Sequence, residues 1–488
     1  MSLRHAAVRR AAAAALLALA ARAPAAAAQP VVGRVFPPEE FAARRARLAR
    51  SLGDGVAVLL GTTERPGEQP LRQGNQFYYL SGVVEPLAAL VIEGRTGRTT
   101  LFLRPGDERR QTRAFGPELV PGDSAARATG VDRVLPRDSL AAVIAAAGAA
   151  GRPLYTPFRP EVLGSASAGD VVRLARTTEA DPWDGRPSRE AAFRARLAAA
   201  APRSELRDLD PLVDSLRAIK SPREIAVIRE ATRITGLAIE AAMREARPGI
   251  PEYALQAPAE YVFKRHGSYG AAYFALIATG RNTWYSHYHR NTATLRDGDL
   301  VQFDYAPDYD YYVSDVTRVF PANGRFTARQ RELYAIYLQL YRAVIASIRP
   351  HVTPAAVVAD AVRRMDAAMA AYRFTDPRIR AAAQAFVDRY RASTPRALGH
   401  TIGMEVHDVP SVTPTLEPGL VFTIEPAIML PDERLAMRLE DVLLITPTGV
   451  ENLSAAVPVE IGAVEAVMAE PGLAARAATR ATVPGAGR

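Results

Sequence analysis

Residues 299–318 read Asp299-Leu300-Val301-Gln302-Phe303-Asp304-Tyr305-Ala306-Pro307-Asp308-Tyr309-Asp310-Tyr311-Tyr312-Val313-Ser314-Asp315-Val316-Thr317-Arg318. Two apolar runs flank a centre of turn-formers, Pro307-Asp308-Tyr309-Asp310, which is the pattern of a β-hairpin. Asp304 and Asp315 are polar residues set inside those runs, with ten residues between them. In a regular hairpin an even separation places both on one face, directly opposite or diagonal to each other.

The device recurs downstream. Glu425 follows Val421-Phe422-Thr423-Ile424, Glu440 precedes Asp441-Val442-Leu443-Leu444-Ile445, and the midpoint falls inside Pro431-Asp432-Glu433-Arg434. Opposite residues of an antiparallel pair stand about 5 Å apart at Cβ. Carboxylates that close repel unless a cation or a proton lies between them. Four of the histidines fall in two clusters, His287 with His289 and His400 with His407. Gly399-His400-Thr401-Ile402-Gly403 reads as a tight turn that carries a ligand. Four carboxylates and one imidazole make a hard, mostly oxygen donor set. It suits two divalent ions, with manganese, zinc or cobalt as candidates. Any one strand carboxylate could be an edge or turn residue. The bland reading must hold at five positions at once, with matched parity in two hairpins. His266 and His351 show no such pattern.

Other chemistries lack their residues. There is no cysteine, which excludes disulfides, thiolate ligands and a Cys nucleophile. No H-E-x-x-H, G-x-S-x-G or P-loop pattern occurs. The net charge of +9 does not indicate nucleic-acid binding, because the arginines are scattered, with no basic run and no aromatic-interleaved patch. Only Lys220 and Lys264 are lysine, so the basicity reflects an Arg-for-Lys bias.

Around the two hairpins the chain alternates helical and strand patterns, which predicts an α/β (α+β) fold. Glu39 to Leu52 reads as a helix; Val56 to Leu60, Ala88 to Ile92 and Thr99 to Leu103 read as strands of one sheet. Residues 141–200 are Ala-rich and give no clear pattern. Ser221-Pro222-Arg223-Glu224 and Thr327 to Gln330 are capping boxes, and Thr353-Pro354 starts a further helix. The first of these helices should run to Pro248-Gly249. In the second, Leu333, Ile336, Tyr337, Leu340, Val344 and Ile348 form an apolar stripe that reads as core. Residues 295–320 and 412–447 read as strands.

The N-terminus has the order of an export signal. Arg4, Arg9 and Arg10 precede an apolar Ala11 to Ala21, and Ala26-Ala27-Ala28 offers a cleavage site before Gln29. Removing residues 1–28 takes away four arginines and no acid, lowering the charge from +9 to +5. The expected mature protein is periplasmic or secreted, with no membrane segment after signal removal. The expected organisation is a signal peptide (1–28), an N-terminal mixed α/β domain (29–215), a catalytic domain (216–465) and a disordered tail (466–488).

These motifs resemble the pita-bread metallopeptidase family, in particular its aminopeptidase P and prolidase group. Arg72-Gln73-Gly74-Asn75-Gln76-Phe77-Tyr78-Tyr79-Leu80-Ser81-Gly82, followed by Glu85-Pro86, resembles the aminopeptidase P N-terminal domain; Ile219 to Ser454 resembles the catalytic domain. The resemblance implies Asp304, Asp315, His400, Glu425 and Glu440 as ligands of two divalent ions, manganese first. It places His287, His407 and Arg438 on the substrate or its oxyanion, and makes Glu425 the proton shuttle. It implies hydrolysis of the Xaa-Pro bond at a peptide N-terminus by a metal-bridging hydroxide, and a homo-oligomer. A dipeptide-restricted prolidase, a non-catalytic peptide-binding relative and a metal-free, creatinase-like amidinohydrolase are the alternatives, and the full ligand set disfavours the last two. The family usually has Gly where this chain has Ala306, Tyr311, Thr401 and Ala427. If those positions need positive φ, these residues are strained there.

Overall fold

The structure is a computed structural model, and it describes residues 35–63, 70–110, 118–162 and 167–473. The expected signal peptide and the last part of the expected tail lie outside the described residues. The helix Ile461–Met468 continues past 466, where the sequence predicts the tail to begin. No helix among the described residues is long and apolar enough to cross a membrane.

The first unit is built on a six-stranded mixed sheet. β1 (Val56–Leu60), β2 (Ala89–Glu93), β3 (Thr99–Leu103), β4 (Arg133–Pro136), β5 (Leu154–Thr156) and β6 (Leu206–Asp208) lie in the order β4-β3-β2-β1-β5-β6. Both faces of the sheet are covered, which is why the strands are apolar without alternation. Val56, Val58, Ala89, Val91 and Phe102 pack on helices Leu140–Ala149 and Arg189–Ala200. Ala57, Leu59, Leu90 and Ile92 face the other way into the main core. The Ala-rich stretch 141–200, silent in sequence, holds β5 and three helices, of which Ala168–Ala180 has no buried residue.

The second unit packs long helices outside several short antiparallel sheets. The helix Pro222–Glu245 starts at the expected capping box, formed by Ser221 and Glu224, and stops three residues before Pro248. Helix Ala328–Ile345 carries its own capping box, and its whole apolar stripe is buried. Pro354–Ala371 follows as expected; Pro377–Ala392 is a further helix.

The hairpins supply the register. After the short β7 (Gly270–Ala271), β8 (Leu276–Thr279), β9 (Leu300–Asp304) and β12 (Thr317–Pro321) form one sheet in the order β12-β9-β8. β9 pairs with β12 so that Asp304 faces Thr317; beyond, in β10 (Pro307–Tyr309) and β11 (Tyr312–Val313), Asp308 faces Val313. These pairs share one register, in which Asp315 is diagonal to Asp304, the second of the two expected arrangements. β13 (Val421–Ile424) pairs with β16 (Asp441–Thr446), and β14 (Ala427–Leu430) with β15 (Leu435–Arg438). Ile424 faces Asp441 and Ala427 faces Arg438, so Glu425 stands directly opposite Glu440. The turn between them is the expected one, with Arg434 left-handed at φ 48°. Residues 412–420, expected as strand, are irregular.

Of the four non-glycine departures, only Tyr311 has positive φ, at 71°. It sits at the tip of the Asp304–Asp315 hairpin and packs against the first unit. Its ring stacks on Tyr78, its hydroxyl accepts from the Gln73 amide at 2.9 Å, and the Arg72 guanidinium lies 4.5 Å over the ring. Arg72 also pairs with Asp308 at 2.6 Å, so the motif 72–82 clamps the hairpin tip.

Candidate metal centre

Asp304 ends β9, and Asp315, Glu425 and Glu440 occupy the interruptions between consecutive ladders. The register runs unbroken through these positions, so the opposite pair Glu425 and Glu440 point to one face. His400 enters from a separate loop fixed at both sides. Its carbonyl accepts from the Thr423 amide at 2.9 Å, and a Cβ at the preceding Gly399 would collide with the Thr423 carbonyl, so only glycine lets the loop come this close.

Ligand atoms of Asp315, His400 and Glu440 lie within 4.8 Å of one another. His400 Nε2 is 3.3 Å from Glu425 Oε1, 3.6 Å from Asp315 Oδ2 and 3.8 Å from Glu440 Oε1. The Tyr273 hydroxyl joins Asp304 and Asp315, at 2.6 Å and 2.7 Å from one oxygen of each. Arg438 pairs with Asp304 and approaches Glu425 to 3.7 Å. Glu440 is only 1% exposed; Thr317 donates to its Oε2 at 2.7 Å, while its Oε1 is buried without a hydrogen-bond partner. Behind the site the buried Arg318 donates to the Glu440 carbonyl at 2.7 Å and pairs with Asp441 at 2.7 Å.

The electrostatics follow from crowding acids in a buried place. Burial first, then Asp304 and Glu425, push Asp315 well above the carboxylate range. Burial and then Asp315 and Glu425 do the same to Glu440. Burial alone would lower His400, but its bond to Glu425 and the Glu440 charge outweigh it and raise its pKa. Glu425 moves the other way: burial would raise it, yet the His400 bond and Arg438 prevail and lower it. Desolvation, then the neighbouring His400, pull His407 down to about 4. One guanidinium cannot balance four acids, and an ionised carboxylate left unpaired in the interior is costly. The orphaned Glu440 oxygen and the oxygen-rich donor set fit divalent cations.

The site opens into a cleft of about 250 Å³ lined by Asp304, Asp315, His400, Glu425 and Arg438, with His287 and His407 beside them. Glu440 lies beneath the cleft floor. Of the neighbouring pair, His287 faces the cleft, whereas His289 packs against Phe274 and contacts the His287 carbonyl at 3.0 Å. Arg438, expected to act on the substrate, is 5% exposed and engaged by Asp304 and Glu425. His351 pairs with Glu417 on the surface, and His266 ends a helix, both apart from the site. Four further contributors carried no signal in the sequence: Tyr273, Thr317 and, from the first unit, Ser167 and Asp170, which line the cleft. Their roles depend on contacts between segments far apart in the chain.

Residues 226–447 match metallopeptidase family M24, and residues 41–155 match the aminopeptidase P N-terminal domain. The chain is 32% identical over 453 residues to the Xaa-Pro aminopeptidase of Escherichia coli, covering 88% of this chain and 97% of that one. It resembles the solved structure of aminopeptidase P from E. coli with the inhibitor Pro-Leu, at 29% identity and a TM-score of 0.70, covering 91% and 100% of the two chains. A zinc-substituted E. coli aminopeptidase P in complex with product is similar at a TM-score of 0.69 and 29% identity, covering 89% and 99%.

Proposed function

Because the chain belongs to metallopeptidase family M24 and carries an aminopeptidase P N-terminal domain, which makes it a dinuclear metallo-aminopeptidase, we propose that it removes the first residue from peptides with proline in second place. The observation that carries this reading is the meeting of Asp304, Asp315, His400 and Glu425 on the lining of one cleft, with Glu440 beneath them and His287 and His407 beside them. The five residues would hold two divalent ions, manganese first on the hardness of the donors, with zinc or cobalt able to replace it. When bound, the ions would supply Lewis acidity and bring the pKa of water close to neutrality.

The rest is work for the protein's own groups. Glu425 is ionised at neutral pH, because His400 and Arg438 lower its pKa, so a carboxylate oxygen can take the proton of the attacking water. Passing that proton to the proline nitrogen lets the amine leave. His287 and His407 donate to the developing oxyanion, and His407 does so as a neutral imidazole. Arg438 keeps Asp304 and Glu425 in place. Proline makes a tertiary amide with no N–H and a fixed φ. Ala272, Phe274, Leu276 and Val406 give the cleft an apolar side for that ring. A dipeptide would add a carboxylate next to the ring, and among the described residues the one arginine or lysine lining the cleft is the already engaged Arg438. Longer peptides are therefore the proposed substrates.

Rates on Xaa-Pro dipeptides and on longer Xaa-Pro peptides, measured side by side on manganese-loaded protein, test the reading. Cleavage of dipeptides alone would make it a prolidase. The leader assigns export, and N-terminal sequencing of a periplasmic product starting near Gln29 would check it.

A further inference from the structure

Glu405 lies on the loop between His400 and His407, and its side chain is fully buried. Its Oε1 accepts from Arg217 at 2.9 Å and from Asn75 at 3.4 Å. Its Oε2 accepts the backbone amide of Ala168 at 2.9 Å. Ala168 is the first residue of the helix Ala168–Ala180, and Ser167 is its N-cap. Ser167 and Asp170 line the same cleft as His407. Since no residue of this helix is buried, it has little apolar packing to hold it against the catalytic unit. Arg217 also pairs with Asp408, which buried Lys220 approaches to 3.4 Å, so Glu405 and Asp408 together face two cations and Glu405 has an oxygen left over for the helix.

We propose that Glu405 is a positioning residue that latches the first turn of this helix, and with it Ser167 and Asp170, into the wall of the substrate cleft beside His407. The proposal rests on the peptidase reading of that cleft and adds the element that shapes its peptide-binding side. Glu405 makes no contact with the five candidate metal ligands, so its effect falls on how the peptide is held.

Two variants test the latch. Ala168→Pro removes the donated N–H at the first helical position, where proline is tolerated. The preceding Ser167, at φ −82° and ψ 151°, already has the extended backbone that a residue before proline adopts. Glu405→Gln keeps the shape but has one acceptor oxygen, which cannot serve both Arg217 and Ala168. Both variants should retain two ions and keep kcat within about twofold. Both should raise KM for an Xaa-Pro tripeptide on the order of tenfold, the expected effect of losing a hydrogen bond to a charged group. Ala168→Gly, which keeps the N–H, should leave KM at the wild-type value. Amide exchange at residues 169–175 of the manganese-loaded enzyme, which needs no turnover, should accelerate in both latch variants. Unchanged exchange would overturn the latch, and faster exchange with unchanged KM would overturn its place in the cleft wall. If the wild-type enzyme turned over no Xaa-Pro peptide, the peptidase reading would fail, while the exchange result would still decide the latch.

Discussion

The ring of Tyr311 lies flat on that of Tyr78, with centroids 3.6 Å apart and planes 6° apart, joining the tip of a catalytic hairpin to the N-terminal unit. Tyr311 takes up this position with φ at 71°, a region that costs a side-chain-bearing residue about 1–2 kcal/mol. The stack, the bond from Gln73 and the Arg72 contact offset that strain. Tyr311→Ala keeps the strain and loses the contacts, for a loss of about 3 kcal/mol. Tyr311→Gly loses the contacts but relieves the strain, so it should be about 1 kcal/mol more stable than the Ala variant. Urea denaturation of the two variants makes the comparison, and equal midpoints would remove the strain from the account.

Asp315 groups with His400 and Glu440 within 4.8 Å and shares the Tyr273 hydroxyl with Asp304, so its loss should be the most severe among the candidate ligands. Asp315→Ala is expected to lose metal by elemental analysis and at least about 100-fold in kcat. In the wild type, manganese at about 100 times its dissociation constant should add about 2.7 kcal/mol of stability for each site it fills. An Asp315→Ala protein that held two ions per chain would sink the assignment.

The histidines should divide differently. His287→Ala and His407→Ala should keep both ions yet lose on the order of 100-fold in kcat, the usual effect of removing one oxyanion donor. His289→Ala, whose ring packs on Phe274, should stay near normal. Loss of turnover in His289→Ala with a normal His287→Ala would reverse the assignment.

The metal-free protein should lose stability as pH rises. Asp315, Glu440 and His400 all have raised pKa values in the fold, so the native state holds protons that the unfolded chain has released. Stability from such groups is complete below their unfolded pKa values and disappears as pH climbs through the raised ones. His407 runs the opposite way, being held at about 4, but at pH 6.5 it is only about half protonated in the unfolded chain, so from there upward it adds no more than about 0.4 kcal/mol. The urea midpoint of stripped protein should therefore be lower at about pH 8.5 than at about pH 6.5, and saturating manganese should flatten the slope. A midpoint that rose over this range without metal would contradict the raised values.

Much of the centre was legible because strand geometry has a period of two. Parity placed Glu425 opposite Glu440 and Asp304 on the face of Asp315, and Gly399 and Gly403 marked a tight turn around His400. The capping boxes at Ser221 and Thr327 located two long helices for an equally local reason. What stayed hidden depends on contacts between distant segments. Tyr273 is one tyrosine among many until folding brings its hydroxyl to two aspartates 31 and 42 residues away. Arg438 showed its motif but not that it would face the acids. The Ala-rich stretch 141–200 hid its helices because alanine does not distinguish a buried face from an exposed one.

The register has a consequence for how this sequence can change. A residue gained or lost between Glu425 and Leu430 would turn one member of the Glu425–Glu440 pair to the far side of the ribbon. The same change in the connection Pro431–Arg434 leaves every strand pair intact and disturbs the ion pairs of Glu433 with Arg329 and Arg378 instead. The other hairpin lacks that freedom, because its tip is gripped by Arg72, Gln73 and Tyr78. Length variation among descendants of this chain should therefore collect at one hairpin tip and avoid the other, and a graft or tag placed by an engineer should follow the same rule.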